Sequence, residues 1–204
     1  MKRSLVKEPR WVLASESPRR SEILNRLGMD FHVDPSRISE PARRAGETPS
    51  RYAVRIARMK ATEVAGRHRA GFILGADTIV VLDDSILLKP ENRADALIML
   101  KRLSGRWHKV VSGLCLLDRK TGRSFSASRS SRVHFRRLSD AEVEWYLNTG
   151  EYRDKAGAYG IQGYASLFID RIEGCYFNVV GFPITSFVQL CRKAGIDLIP
   201  MLTG

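Results

Sequence analysis

Residues 71–82, GFILGADTIVVL, form an apolar run that predicts a buried strand, broken by a single acid. That acid is Asp77, and aspartate is depleted in strands. An isolated buried carboxylate costs several kcal/mol unless it is paired, protonated or bound to a metal. The structural alternative is a bend in which the aspartate caps a turn. We favour the functional interpretation, in which Asp77 is a metal ligand or a general base.

Strands and helices alternate on both sides of this run. The sequence predicts strands at 11–14 and 31–33, helices at 18–27, 49–65, 93–103, 139–147 and 185–194, and a hairpin of 109–118 with 124–135. Further strands are predicted in 158–163, 165–172 and 177–181. Strands and helices alternate in the first part of the chain and a hairpin follows them, which predicts an α/β fold around a mixed twisted sheet flanked by helices. Because no linker-like segment divides the chain, we expect one domain over residues 1–204.

The charge balance predicts an anionic partner. The 204-residue chain has 34 Lys and Arg against 22 Asp and Glu, a net charge of +12. Nucleic acid, an anionic membrane surface or a small polyanion such as a nucleoside triphosphate would all fit. Residues 119–137 hold seven of the cations and are interpreted mainly as an exposed hairpin. No apolar run approaches the ~20 residues of a membrane-spanning helix, so no membrane partner is expected.

The cysteines and the N-terminus favour a cytoplasmic protein. Cys115, Cys175 and Cys191 are widely spaced and form no C-x-x-C pair, which is typical of buried free thiols in a reducing compartment. The basic segment 1–10 lacks the apolar core of a secretory signal.

The stretch LASESPRRSEIL, residues 13–24, places two arginines where a helix disfavours them. With Ser17 as the N-cap, Arg19 and Arg20 fall in the first turn, where each cation costs roughly 0.3–1 kcal/mol. A bound anion would reverse this penalty, because the helix N–H groups and two guanidinium forks then form one anion pocket. Ser15 adds a hydroxyl donor.

Two lysines extend this positive cluster. Lys60 interrupts the apolar stripe of the helix at 49–65, so it either extends to solvent or reaches an anion inside a cleft. Lys89 lies at the mouth of a strand and is weak evidence alone. Together with a carboxylate available for Mg²⁺, these cations indicate phosphoryl chemistry on a triphosphate.

Several other classes of enzyme are disfavoured by missing motifs. The chain contains no G-x-x-x-x-G-K-[ST] loop, no G-x-S-x-G elbow and no H-E-x-x-H pair. The glycines of residues 157–163, spaced G-x-x-G-x-x-G, let the backbone approach something closely but do not match a dinucleotide fingerprint.

These motifs, in order, resemble the Maf family of nucleoside triphosphate pyrophosphatases. The resemblance is carried by LASESPRR, GADTIV, LLKP, RLSGRWHKVVSGL, DKAGAYGIQG and RIEGCYFNVVGFP, and it spans nearly the whole chain. It implies two lobes with a central cleft, as in inosine triphosphate pyrophosphatases. It also implies hydrolysis between the α- and β-phosphates with a divalent metal, Mg²⁺ or Mn²⁺, and a homodimer.

The resemblance assigns roles to individual residues. It implies phosphate contacts for Ser15, Arg19, Arg20, Lys60 and Lys89. Asp77 matches the proton acceptor, and Glu40 matches an acid associated with the metal.

At three specificity positions, Arg19, Thr78 and Gln162, the chain is similar to the branch that cleaves dTTP and UTP. The sister branch acts on 7-methyl-GTP and tends to have other residues there. Glu16 departs from the family by placing an anion beside the phosphate loop.

A binding protein is the alternative from another class. Its basic surface would engage nucleic acid, or the fold would serve in division control with little catalysis. Nucleic acid is disfavoured because the aromatic residues are mostly embedded in apolar runs rather than arranged as a stacking platform.

Overall fold

The computed structural model describes residues 11–202, so the basic N-terminal segment lies outside the described residues. Its strands are β1 (Trp11–Leu13), β2 (His32–Val33), β3 (Phe72–Leu82), β4 (Ser85–Leu87), β5 (Trp107–Asp118), β6 (Ser124–Phe135) and β7 (Ile169–Glu173). Its helices are α1 (Pro18–Arg26), α2 (Pro49–Ala65), α3 (Arg93–Leu103), α4 (Asp140–Thr149), α5 (Tyr176–Val180) and α6 (Ile184–Lys193). None of the helices within 11–202 is long and apolar enough to cross a membrane.

The strands form one mixed sheet in the order β2-β1-β3-β5-β6-β7, which confirms the predicted fold class. The β2-β1-β3 pairs are parallel, as expected for strands joined by helices, whereas β3-β5-β6-β7 are antiparallel. β4 turns back onto β3 through Asp83 and Asp84, both with positive φ (47° and 66°), as a two-residue hairpin turn of type I′ requires.

One edge of β3 opens in its middle. On this edge β1 pairs with β3 as far as Leu74, and β4 pairs with it from Val80 onward. Among the described strands, residues 75–79 therefore pair with β5 only. This gap lies beside the carboxyl end of β1, where α1 begins, so backbone and side chains of β3 are reachable there.

The two faces of the sheet are covered by different helices. Successive side chains of a strand point to opposite faces. Ile73, Ile79 and Val81 pack with α2, whereas Leu74 and Val80 belong to the larger core that includes α1 and α6. Asp77 therefore faces α2, and its neighbour Thr78 faces the opposite side of the sheet.

Two glycines let α2 lie very close to the sheet. A Cβ at Gly75 would lie 2.1 Å from the carbonyl oxygen of Ala57, and one at Gly113 would lie 2.3 Å from that of Ala53. The close approach fixes α2 over the middle of β3, which is where the side chain of Lys60 can reach Asp77.

Most predicted elements are confirmed, but two predicted strands are wrong and a third begins late. Residues 158–163 contain no strand, and Ala158 is the last residue of the 3₁₀ turn Ala156–Ala158. The strand predicted at 165–172 begins only at Ile169. The stretch predicted as a strand at 177–181 is the helix α5 and its cap. Asn178 is buried within α5, where its amide donates to the backbone of Val110. Tertiary contacts thus override the strand propensity of this valine-rich stretch.

Candidate active site

The open edge of β3 leads into a cleft of about 760 Å³. One wall is the turn between β1 and α1 with the start of α1, and the facing wall is the segment 153–161. The predicted central cleft is therefore present. Eight of the nine sequence-predicted site residues line it, and Gln162 does not. The eight are Ser15, Arg19, Arg20, Glu40, Lys60, Asp77, Thr78 and Lys89.

A buried carboxylate and a lysine form the centre of the cleft. The ammonium of Lys60, on α2, donates to Asp77 Oδ1 at 2.8 Å and pairs with Glu40 Oε1 at 2.6 Å. Asp77 is only 5% exposed, and its other oxygen, Oδ2, is buried with no hydrogen-bond partner among residues 11–202. A buried polar atom without a partner is unfavourable, so this oxygen is poised to bind a ligand, a water or a cation.

Arg20 contacts the face of the sheet to which Thr78 points, opposite to that of Asp77. Its guanidinium donates to Ser15 Oγ at 2.7 Å, Thr78 Oγ1 at 3.1 Å and the carbonyl of Gly181 at 3.1 Å. Burial lowers the pKa of Arg20, and the nearby carboxylate of Asp77 partly offsets that effect. Arg20 thus joins β1, β3 and the end of α5, and two of its five N–H donors remain for a ligand.

The guanidinium of Arg19, one position earlier, has a different environment. Among the described residues, none accepts a hydrogen bond from its guanidinium or forms an ion pair with it, although it lines the cleft. Burial lowers its pKa, while the carboxylates of Glu22 and Asp154 act in the opposite direction. An unpaired and partly buried guanidinium is a strong anion-binding group, which agrees with the phosphate contact implied for Arg19.

Two predicted site residues lie at the margin of the cleft or just outside it. Lys89 is exposed and lies 3.5 Å from Glu16 Oε1, so the acid beside the phosphate loop pairs with a predicted substrate-binding lysine. Gln162 is exposed and does not line the cleft, although its neighbours Gly160 and Ile161 do.

The facing wall contributes residues that sequence reasoning missed. Arg153, Asp154, Lys155 and Tyr159 line the cleft. The glycine spacing drew attention to this segment, but only for its backbone. The close approaches are in fact made to the protein itself, since a Cβ at Gly160 would lie 2.8 Å from Lys155 Cε.

The donor set fits a divalent cation bound together with phosphates. No group of three or more His, Cys, Asp or Glu that could hold a metal occurs among the residues that the structure describes. Asp77 and Glu40 converge on one ammonium, however, and Asp77 keeps an oxygen with no partner in the part of the chain that the structure describes. Mg²⁺ is usually bound by one or two carboxylates plus substrate phosphates and waters, so two converging carboxylates suffice.

The chain is similar to curated proteins named dTTP/UTP pyrophosphatase. It is 44% identical to the one from Syntrophomonas wolfei over 187 residues, 92% of this chain and 98% of that protein. It is 47% identical to the one from Thermococcus gammatolerans over 188 residues, again 92% and 98% of the two chains.

Solved structures give a more partial likeness. A nucleoside-triphosphatase / dITP/XTP pyrophosphatase from Mycobacterium abscessus overlaps with a TM-score of 0.42 at 17% identity, covering 63% of this chain and 75% of the other. The Ham1 protein of Staphylococcus aureus overlaps with a TM-score of 0.44 at 13% identity, covering 61% and 71%.

The family comparison agrees with these pairwise matches. The model of the family described as Maf-like protein matches residues 10–194, which include every residue of the cleft named above. This chain therefore belongs to the Maf-like protein family.

Proposed function

We propose that this protein is a nucleoside triphosphate pyrophosphatase that hydrolyses dTTP and UTP to the nucleoside monophosphate and pyrophosphate. The observation that carries the proposal is the buried carboxylate of Asp77 at the open edge of β3. One of its oxygens accepts from Lys60, and the other has no partner within residues 11–202. The names of the curated relatives support the reaction and the choice of nucleotide.

In the proposed reaction a water molecule attacks the α-phosphorus of the triphosphate. Asp77 Oδ2 orients this water and accepts its proton, while the bond between the α-phosphorus and the bridging oxygen breaks and pyrophosphate leaves. Lys60 holds the other carboxylate oxygen in place through its hydrogen bond to Oδ1. No covalent intermediate is needed, because positioning and charge stabilisation supply most of the rate in phosphoryl transfer.

Cationic side chains stabilise the charge that develops on pyrophosphate. Six cations, Arg19, Arg20, Lys60, Lys89, Arg153 and Lys155, and four acids, Glu16, Glu40, Asp77 and Asp154, line the cleft. The excess of positive charge favours a polyanion, and donors that are already in place need no reorganisation during the reaction.

Glu40 and Asp77 are the residues that would hold Mg²⁺ or Mn²⁺. A bound divalent cation supplies Lewis-acid polarisation of phosphate oxygens. Within the chain, Lys60 keeps the two carboxylates close together until a second cation competes for them.

The residues at the three specificity positions are proposed to contribute to the choice of nucleotide, Thr78 and Gln162 through the base and Arg19 through the phosphates. The hydroxyl of Thr78 contacts Arg20 and Ser112 Oγ, so its orientation is fixed by the fold. Gln162 lies beyond the cleft lining and would have to turn inward from its exposed position. From the sequence we also predict that the protein forms a homodimer and is located in the cytoplasm.

One nucleotide panel tests the function. Pyrophosphate release from dTTP, UTP, CTP and 7-methyl-GTP is measured with Mg²⁺, with Mn²⁺ and with EDTA. We expect release from dTTP and UTP that requires the metal. Salt-dependent DNA binding without release of pyrophosphate would instead favour the nucleic-acid-binding alternative.

A further inference from the structure

Lys155 lies on the wall of the cleft that faces the start of α1. It lines the same cleft as Arg19, and its side chain is partly buried. Its ammonium donates to the backbone oxygens of Glu151 and Arg153, which leaves one of three N–H donors unused. The ammonium of Lys155 is therefore held in position and can still donate a hydrogen bond to a ligand.

The stem of Lys155 is fixed by a glycine. A Cβ at Gly160 would lie 2.8 Å from Lys155 Cε and 2.9 Å from Cδ, so a larger residue there would require the flexible stem to move from this conformation. The space left by Gly160 and the two backbone oxygens that accept from the ammonium together define this position of Lys155.

Among the described residues, no carboxylate forms an ion pair with this lysine, although the charges of Glu151 and Asp154 partly offset the effect of burial on its pKa. The carboxylate of Glu151 is occupied, because it accepts hydrogen bonds from the backbone N–H of Tyr164 at 2.7 Å and from the hydroxyl of Tyr146 at 3.2 Å. Asp154 is exposed, and among the described residues it has no ion pair with Lys155 or Arg19. Two partly buried cations therefore share one end of the cleft.

Different carboxylates act on Arg19 and on Arg20, the two arginines at the start of α1. The carboxylates of Asp77 and Glu40 act on Arg20, whereas those of Glu22, Asp154 and Glu151 act on Arg19. After the effect of burial, Arg19 is the neighbour that most lowers the pKa of Lys155. The two adjacent arginines of α1 are therefore influenced by different sets of carboxylates.

We propose that Lys155 and Arg19 form an anion subsite that binds the pyrophosphate portion of the substrate, with Lys155 as a further substrate-binding residue. Two partly buried cations that form no ion pair with any residue of 11–202 are stabilised by a ligand that carries several negative charges. The inference rests on the proposed function, since the pyrophosphate portion is that of a nucleoside triphosphate.

Direct binding tests the subsite apart from catalysis. The Kd values of pyrophosphate and of dTMP are measured by calorimetry in Mg²⁺-containing buffer for the full chain and for Lys155→Met, which keeps the stem and removes the charge. We expect Lys155→Met to weaken pyrophosphate binding roughly tenfold to a hundredfold, the range for a charge-assisted hydrogen bond. The Kd of dTMP should change less than about twofold.

Three further variants make the result decisive. Lys120→Met removes one exposed positive charge from the turn between β5 and β6 and should leave both Kd values unchanged. Lys155→Arg restores the charge and should recover most of the pyrophosphate affinity. Gly160→Ala keeps the lysine but displaces its stem, so it should weaken pyrophosphate binding in the same direction even where Lys155→Met fails to fold.

Weaker binding of dTMP with unchanged binding of pyrophosphate would overturn the proposal, because Lys155 would then contact the nucleoside. Unchanged affinity for pyrophosphate in both Lys155→Met and Gly160→Ala would overturn it as well. Failure of the proposed function looks different: the unaltered protein would release no pyrophosphate from any nucleotide, while the binding comparison would still be measured.

Discussion

Asp77 shows how one residue combines stability and chemistry. Its Oδ1 is satisfied by Lys60, which makes burial of the charge tolerable, whereas Oδ2 has no partner among the described residues. A fully satisfied carboxylate would be inert, and a wholly unpaired one would be very costly to bury. The half-satisfied state leaves one oxygen available for a ligand.

Replacing Lys60 by methionine should destabilise the protein and change its response to metal. Asp77 and Glu40 would lose their shared cation, at a cost of about 2 kcal/mol, less than for a fully buried pair because Glu40 is partly exposed. The melting temperature of a chain this long should fall by about 4–8 °C. Added Mg²⁺ should raise it by more in Lys60→Met than in the unaltered protein, because the ammonium no longer competes for the carboxylates.

The control for that experiment is Lys60→Met combined with Asp77→Asn. Thermal melting with and without Mg²⁺ should show little extra stabilisation of the double variant. If the melting temperature of Lys60→Met equals that of the unaltered protein and does not change with Mg²⁺, the two carboxylates do not share a cation site.

Replacing Glu16 by alanine should strengthen substrate binding. The exposed pair of Glu16 and Lys89 is worth at most about 1 kcal/mol, so the KM for dTTP should fall by up to about fivefold. The effect should shrink at high salt, because exposed charges are screened. Steady-state kinetics at two salt concentrations measure it, with Asp197→Ala as a surface control of equal charge change.

At the scale of elements, α2 and β3 position the catalytic centre through contact of their backbones. Lys60 reaches Asp77 because Gly75 and Gly113 allow α2 to lie directly on the sheet. The geometry of the ion pair therefore depends on residues that take no part in chemistry.

Adding a methyl group at Gly75 should displace α2. The new Cβ would lie 2.1 Å from the backbone oxygen of Ala57, and overpacking of this kind costs about 1–3 kcal/mol. We expect Gly75→Ala to lower both the melting temperature and the rate of pyrophosphate release. Gly122→Ala is the comparison, because it strains the backbone of an exposed turn at a φ of +73° but adds no contact with α2. It should keep the rate of pyrophosphate release, and an equal loss of activity there would contradict the role given to α2.

The sequence predicted the regular elements well and the irregular wall poorly. The helices and the β5–β6 hairpin follow from periodicity and capping, and the capping box of Ser139 and Glu142 is present. The strands predicted in 158–163 and 177–181 fail because their conformation is decided by distant partners, such as Val80 against Gly157 and Val110 against Asn178. Such partners leave no periodic pattern.

The same distinction applies to the site. Asp77, Lys60 and Arg19 could be found because each is a polar residue where the local pattern favours another type. Lys155 could not, since a lysine in a polar loop is ordinary until the fold places it opposite Arg19. The internal hydrogen bonds of Arg20 also have no signal in the sequence, because their partners lie as far away as Gly181.

At the scale of the whole molecule, a buried histidine should make stability depend on pH. Burial lowers the pKa of His108 to about 4, from an ordinary value of 6.5, and its Nε2 lies 2.7 Å from the hydroxyl of Tyr159. Between pH 6.5 and 4 the unfolded chain therefore binds a proton that the folded protein does not. Stability should be intact above pH 6.5 and fall by roughly 3 kcal/mol as the pH drops to 4.

Chemical denaturation at several pH values measures this loss. His108→Gln, which keeps a hydrogen-bonding group near Tyr159, should flatten the dependence in that window. An unchanged slope in His108→Gln would assign the loss to other groups.

The proposed function as a whole depends on Asp77 as the proton acceptor in a cleft that binds a triphosphate. The most direct measurement is pyrophosphate release from dTTP by Asp77→Asn, with the Kd of dTTP measured on the same protein. We predict release slowed by roughly a hundredfold to ten-thousandfold, the contribution of a general base, while dTTP still binds. Turnover retained at the level of the unaltered protein would contradict that role.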